Sequence, residues 1–310
     1  MNKCPLTYQP CGTERYSPEG LRRIHRQLFA LKDLPYSAQE QRAEAAGRMR
    51  RMSIQGVQPK LSARLNPKAA LFELTDTGGR YIIKPQSDTY RCLPENEDLT
   101  MRMAAACGIE TPWHGLIWCC DGSLSYVVQR FDRIGKTEKV AMEDFAQLAG
   151  LSRETKYDFT TEKMIRLIEA HCTFPALEKL KFFRLILFCF LTGNEDMHLK
   201  NFSLLTRDHR TEFSPAYDLL NTTLALGKAD DELALMLAGK RKEFRRRELV
   251  DYFAFERLAL LPAAAQKTLD KLAAARPVWF DLLERSFLPD DLKTSYRKML
   301  EERLARLEGR

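Results

Sequence analysis

Nowhere in its 310 residues does the chain approach the run of roughly 18 to 20 uncharged apolar residues that a membrane span needs. Its first residues, Met1-Asn2-Lys3-Cys4-Pro5, hold no apolar leader, so nothing in them signals export and a cytoplasmic location is expected. No internal repeat or low-complexity tract interrupts the sequence, which sets aside repeat architectures and disordered tracts. The eight cysteines also lack a metal-site pattern. Cys4 and Cys11 are followed by no second Cys or His pair at ligand spacing, and Cys119-Cys120 would point to opposite faces of a strand. Reduced thiols rather than a disulfide framework are expected, and no metal site from cysteine.

Hydrophobic residues make up 45% and charged residues 29%, the balance of a folded globule long enough for two cores. The net charge of +7 favours anionic partners without naming one. Arg48-Met49-Arg50-Arg51 and the run from Lys240 to Arg247 supply much of it, and solvated helix faces are the ordinary reading of both.

A Ser cap and Pro at the first position predict a short amphipathic helix over residues 17–32. From 52 to 131 short runs predict strands: Leu71–Leu74, Tyr81–Ile83, Leu116–Cys119 and Tyr126–Val128. Asp76-Thr77-Gly78-Gly79 reads as the hairpin turn joining them, and Glu95–Cys107 as a helix ending at Gly108. Beyond 140 the spacing turns helical over Met142–Leu148, Thr161–Glu169, Ala176–Leu191 and most of Asp231–Arg310. The expectation is an α+β chain of two lobes. A β-rich N-terminal lobe spans 1–132, with helical lead-in, glycine loop, small antiparallel sheet and one helix. An all-α C-terminal lobe spans 133–310, the boundary lying near Gln129–Gly135, with the site between the lobes.

The most informative stretch is Gly193-Asn194-Glu195-Asp196-Met197-His198-Leu199-Lys200-Asn201, following a buried apolar run. Asp196 and Asn201 stand in an Asp-x4-Asn arrangement, and Asp218 follows in Pro215-Ala216-Tyr217-Asp218-Leu219. Such a set of oxygen ligands suits a kinase: Asn201 and Asp218 would hold Mg²⁺ on ATP phosphates, and Asp196 would orient the attacking hydroxyl. Lys200 would neutralise the transferred phosphoryl group, and His198 is catalytic or a loop brace. Structural turns and caps are the competing reading of the whole set.

Three further elements would meet the nucleotide. Gly56, Val57 and Gln58 lie in a short polar loop, Ser53–Lys60, where Gly56 lets backbone N–H groups approach phosphate oxygens. This loop matches neither the Walker pattern nor G-x-G-x-x-G, and an ordinary turn competes with it. Lys84 ends Tyr81-Ile82-Ile83-Lys84-Pro85, where proline stops the ladder and one ammonium could reach phosphates; a solvated strand-end lysine is the alternative. Glu97 would pair with Lys84, with Glu95 and Asp98 as competitors and a helix-dipole role as its rival.

With these residues placed, the chain resembles the HipA-like serine/threonine kinases, the toxin components of bacterial toxin–antitoxin modules. The resemblance runs from about Met52 to Leu237. It rests on the loop at 53–60, Tyr81–Pro85, Asn96-Glu97, Val127–Arg133, Glu143-Asp144-Phe145, Lys156-Tyr157, Gly193–Asn201 and Pro215–Leu219. It implies a two-lobed protein-kinase-like (HipA-like) fold, ATP with Mg²⁺ as cofactors, and phosphorylation of an aminoacyl-tRNA synthetase, which would stall translation. It implies also that Gln129 and Phe131 meet adenine, and that Ser53 is autophosphorylated. A phosphate there would add about −1.5 to −2 charge beside the nucleotide.

Only some fifty residues precede the glycine loop, which looks like the short HipT-type toxin of three-gene modules. That form implies small HipS-like and HipB-like antitoxin partners, tryptophanyl-tRNA synthetase as target, and DNA contact only through an antitoxin. Gln55 stands where short forms carry a second loop serine. A small-molecule or lipid kinase of related fold, and a pseudokinase regulatory subunit, are the rival readings.

Overall fold

Strand β1, Leu61–Asn66, organises the first half of the chain, with apolar Leu61, Ala63 and Leu65 alternating with polar neighbours. In the computed structural model, which describes residues 1–51, 58–135, 138–151, 155–228 and 230–309, two compact units form, each discontinuous in sequence. The first comprises Met1–Leu99, Pro112–Glu138 and Glu284–Leu288. It holds helices α1 (Pro18–Ile24) and α2 (Ala38–Arg51), strands β1, β2 (Leu71–Leu74) and β3 (Tyr81–Lys84), and the start of α3 (Leu93–Ala106). Strands β4 (His114–Trp118), β5 (Leu124–Gln129) and the two-residue β6 (Arg133–Ile134) complete it.

The five-stranded sheet has the order β2-β1-β3-β5-β4, with every pairing antiparallel. Strand β1 therefore separates β2 from β3, and the expected hairpin at Asp76–Gly79 is instead a connection that passes over a strand. The hairpin is β1–β2, turned by Asn66 Oδ1 accepting from Ala69 N at 3.1 Å. One apolar cluster packs Cys4, Leu6, Leu21, Leu28 and Leu34 with Leu61, Phe72, Ile83, Ile117 and Val127. The helix expected over 17–32 is only α1, because after Ile24 the backbone of His25 becomes extended.

The second unit comprises Thr100–Thr111, Lys139–Leu283 and Pro289–Arg310. After the short strand β7 (Glu138–Lys139) come β8 (Ala141–Asp144), α4 (Phe145–Leu148), α5 (Thr161–His171) and α6 (Pro175–Thr192). Strands β9 (Ser203–Arg207) and β10 (Arg210–Phe213) follow, then α7 (Thr222–Leu226), a π-helical segment Arg247–Arg257, α8 (Pro262–Arg285) and α9 (Asp290–Glu308). The unit is dominated by helices, with one amendment to the all-α expectation: β10, β9 and β8 make an antiparallel three-stranded sheet.

The expected helix 142–148 divides there. Asp144 accepts from Gln147 N at 2.9 Å while Gln147 Oε1 accepts from Asp144 N, a capping box that starts α4 only after the strand. Of the helical spacing expected over most of Asp231–Arg310, the first helical segment begins at Arg247, and here a distant partner intervenes. Glu232 takes Arg306 in a bidentate pair and the Phe244 N–H, fixing the intervening segment as a loop. Helix α6 is buried from Leu185 to Thr192, and its Phe182 lies in an aromatic cluster with Phe202, Phe213 and Phe253.

Candidate active site

Helix α6 stops at Gly193, whose φ of 72° is left-handed. A Cβ there would lie 2.7 Å from Met299 Sδ and 2.8 Å from Asn221 Oδ1, so glycine is required for both conformation and space. Thr222 Oγ1 donates to the Gly193 carbonyl at 3.0 Å and accepts from Glu195 N at 2.8 Å, tying the next residues to the start of α7.

From this anchor the Asp-x4-Asn loop closes on itself. His198 N donates to the Asp196 carbonyl at 2.8 Å, and Asn201 Nδ2 donates to the same oxygen at 2.9 Å. Between them Leu199–Asn201 makes one 3-10 turn, with Met197, Leu199 and Phe202 buried beneath it. The apolar residues hold the loop down while the Asp196 side chain stays half exposed, at 50%.

Asp218 reaches the same loop from β10. Its own φ is 54°, a left-handed conformation that aspartate tolerates at some cost. The preceding Tyr217 hydroxyl donates to the Lys200 carbonyl at 2.9 Å and accepts from Ser203 Oγ at 2.6 Å. The Asp218 segment is thus bonded to the residue adjoining Asn201, and the charges of Asp196 and Asp218 both act on His198. Asp196, Asn201 and Asp218 therefore belong to one locality. Sequence reasoning assigned no role to Tyr217, and no spacing rule would have revealed a phenol acting as the strap.

His198 is buried, and that burial holds its pKa below the ordinary histidine value; Asp196 pulls the other way and Lys156 opposes protonation. Lys156 Nζ lies 2.6 Å from Nε2, while buried Nδ1 has no hydrogen-bond partner among the described residues. A neutral ring accepting at Nε2 fits these contacts. Lys200 does not stand alone in the site: its ammonium is 2.8 Å from Asp144 Oδ2.

In the first unit Lys84 Nζ meets Glu97 Oε1 at 2.6 Å, with the two side chains only 6% and 3% exposed. Glu95 receives Gln86 Nε2 and Asp98 lies 2.7 Å from His114 Nδ1, so each of its sequence neighbours has another partner. Gln129 closes β5, its N–H donating to the Trp113 carbonyl at 2.8 Å, and Phe131 is half-buried just beyond. Gln58 is half-buried, its Nε2 unpartnered among the described residues. Ser53, Gly56 and Val57 lie outside the described residues.

Asn201 commits its Nδ2 to the Asp196 carbonyl, so its Oδ1 is the side-chain atom of that amide that could serve a cation, with the Asp218 carboxylate as the second oxygen donor of the expected set. Two hard oxygen donors of this kind fit Mg²⁺, which takes few protein ligands and completes its shell from phosphate and water. Among the described residues no group of three or more His, Cys, Asp or Glu side chains is placed to hold a metal ion.

A family model described as the HipA-like C-terminal domain matches residues 52–279. The chain belongs to that family. Among curated proteins it is 28% identical over 242 residues to a putative kinase of Haemophilus influenzae, covering 72% of this chain and 69% of the relative. It is 34% identical over 266 residues to the putative kinase Y4dM of Sinorhizobium fredii, covering 80% and 64%. The serine/threonine-protein kinase toxin HipA of Shewanella oneidensis is 30% identical over 193 residues, covering 56% of this chain and 44% of the toxin. The chain thus spans about two thirds of the putative kinases and under half of the toxin.

Among solved structures, HipA in the Shewanella oneidensis complex of HipA, HipB and operator DNA superposes with a TM-score of 0.71 at 23% identity. It covers 91% of this chain and 74% of its own. The Helicobacter pylori proinflammatory kinase CtkA gives 0.55 at 14% identity, covering 79% and 92%. The α+β, HipA-like kinase fold follows from these matches. Among the described residues no helix is long and apolar enough to cross a membrane.

Proposed function

We propose that this HipA-family chain is an ATP- and Mg²⁺-dependent serine/threonine protein kinase acting as the toxin of a toxin–antitoxin module in the cytoplasm. The observation that carries the reading is a pair of ties: Asn201 Nδ2 to the Asp196 carbonyl, and the hydroxyl of Tyr217, the residue before Asp218, to the carbonyl of Lys200, the residue before Asn201. The names of the relatives point the same way.

Bound to nucleotide phosphates, Mg²⁺ would neutralise charge that develops as the γ-phosphoryl group leaves. Asn201 Oδ1 and the Asp218 carboxylate would hold it. Asp196 accepts or orients the proton of the incoming serine or threonine hydroxyl. Lys84, held by Glu97, meets the α- and β-phosphates, while Gly56, Val57 and Gln58 approach the phosphates and Gln129 and Phe131 the adenine. The lobes 1–132 and 133–310 belong to the same proposal. His198 braces the loop as a neutral ring. Lys200, ion-paired with Asp144, would need to exchange that partner to meet the transferred group.

The proposed target is an aminoacyl-tRNA synthetase, with tryptophanyl-tRNA synthetase first to be tried, and Ser53 is the proposed autophosphorylation site. Small HipS-like and HipB-like antitoxins are the proposed partners in a HipT-type arrangement; the relative solved with HipB and operator DNA supports an antitoxin partner in general. Asp196→Gln and Asp218→Gln should each abolish growth arrest and ³²P transfer from ATP to synthetase. Retention of both activities in both variants would defeat the reading. Intact-mass analysis after ATP treatment should show a phosphate on the wild-type chain that is lost in Ser53→Ala.

A further inference from the structure

One side chain touches the proposed base and has no role yet. The Tyr157 hydroxyl donates to Asp196 Oδ1. Three further contacts hold Tyr157 in place. Its ring meets the buried His198 ring edge to face, centroids 5.1 Å apart at 84°. Lys156 Nζ lies 4.9 Å from the Tyr157 ring centroid while also engaging His198 Nε2. Arg241 Nη2 donates to the Tyr157 carbonyl at 3.0 Å, and Arg241 O in turn accepts from Glu232 N at 2.8 Å and Leu233 N at 3.2 Å. Arg241, in the basic run 240–247, is thus turned inward to grip the segment that carries Tyr157.

We propose that Tyr157 is a positioning residue for Asp196: its phenol fixes one carboxylate oxygen so that the other faces the substrate hydroxyl. The proposal rests on Asp196 acting as the proton acceptor of the kinase reading. An aspartate side chain half exposed to solvent rotates freely about its last bond unless one oxygen is tethered, and misorientation of an acceptor costs rate rather than substrate affinity. The tether is a charge-assisted hydrogen bond, stronger than a neutral one. Burial and the Asp196 carboxylate both keep the Tyr157 phenol protonated, so it remains the donor.

The test compares the full-length chain with Tyr157→Phe, using ³²P transfer from ATP to purified tryptophanyl-tRNA synthetase. Phenylalanine keeps the ring against His198 and removes only the donor. The expected result is a fall in kcat of about 10- to 100-fold, the worth of a hydrogen bond to a charged group, with KM for ATP unchanged within about twofold. In an Asp196→Asn background the same change should cost less than about twofold, because the group it acts through is already altered.

A Tyr157→Phe enzyme with wild-type kcat would overturn the proposal, and one with raised kcat would show that the phenol blocks the base instead. An undiminished loss in the Asp196→Asn background would place the effect elsewhere. If the wild-type chain transfers phosphate neither to any aminoacyl-tRNA synthetase nor to itself, the kinase reading itself fails. The contact is still tested by ¹⁹F NMR on 3-fluorotyrosine-labelled chain, where Asp196→Ala should move the Tyr157 resonance, and a stationary signal would refute the tether.

Discussion

Replacing Glu97 by glutamine would remove one charge from a buried pair while keeping the side-chain volume. Lys84 Nζ and Glu97 Oε1 are 2.6 Å apart, and neither side chain is more than 6% exposed. Surface ion pairs of similar length contribute under about 1 kcal/mol. Here the remaining ammonium would stay in a site closed to water, 5.6 Å from the Tyr126 ring centroid, without the carboxylate that offsets its desolvation. Breaking such a pair costs about 3–5 kcal/mol. Glutamine retains an acceptor for the ammonium, which points to the lower end, about 3 kcal/mol. That is a large share of the roughly 5–15 kcal/mol that holds a domain folded.

The alternative, a carboxylate serving only the α3 dipole, predicts a loss of about 0.3–1 kcal/mol. Urea unfolding of the full chain followed by circular dichroism separates the two magnitudes. Lys84→Met combined with Glu97→Gln should recover most of the loss, since the buried ammonium is then removed together with the carboxylate that faced it. A single-variant cost below 1 kcal/mol, or a double variant no better than the single one, would refute the pair as an electrostatic unit. Transfer from ATP should be lost in single and double variants alike, which distinguishes the pair's service to nucleotide from its service to folding.

Gly193→Ala forces a Cβ against Met299 Sδ and Asn221 Oδ1 in a left-handed conformation, so it should destabilise by about 1–3 kcal/mol, and Met299→Ala should relieve part of this in thermal unfolding. Burial raises the Glu95 pKa from 4.5 to about 7. Below pH 4.5 the group is protonated in folded and unfolded chain alike; between 4.5 and 7 only the unfolded chain releases its proton, so stability falls as pH rises through that window. The full effect is about 3 kcal/mol. Glu95→Gln should therefore gain on wild type by roughly that amount between pH 4 and pH 8 in urea unfolding, and a pH-independent difference would contradict it. Tyr217→Phe removes the donor to the Lys200 carbonyl and should weaken Mg²⁺-dependent ATP binding, measured by calorimetry, more than it lowers the thermal midpoint.

The local elements were legible where a side chain and the backbone agree nearby. Helix α6 and its end at Gly193 follow from an apolar run and a left-handed stop, and α3 from its spacing before Gly108. Strand β1 was legible, since Leu61, Ala63 and Leu65 alternate with Ser62 and Arg64, although no strand was expected there. The order of the sheet was not legible at all. Asp76–Gly79 has hairpin chemistry, and only the insertion of β1 between β2 and β3 makes it a crossing connection. Likewise Ala141–Asp144 reads as the first turn of a helix until it pairs with β9.

The sequence by itself determined the residue types and their order: Lys84, Glu97, and the Asp-x4-Asn loop with a later Asp218, all set by local spacing along one chain. Tertiary structure decided which groups they answer to. Tyr217 bonds the Asp218 segment to the loop, Tyr157 tethers Asp196, Asp144 occupies Lys200, and Lys156 takes the lone pair of His198. The physical reason is range. Helix caps and turns are settled by groups a few residues apart, whereas a hydrogen bond such as Tyr157–Asp196 joins side chains 39 residues apart, and nothing in the spacing of either announces the other.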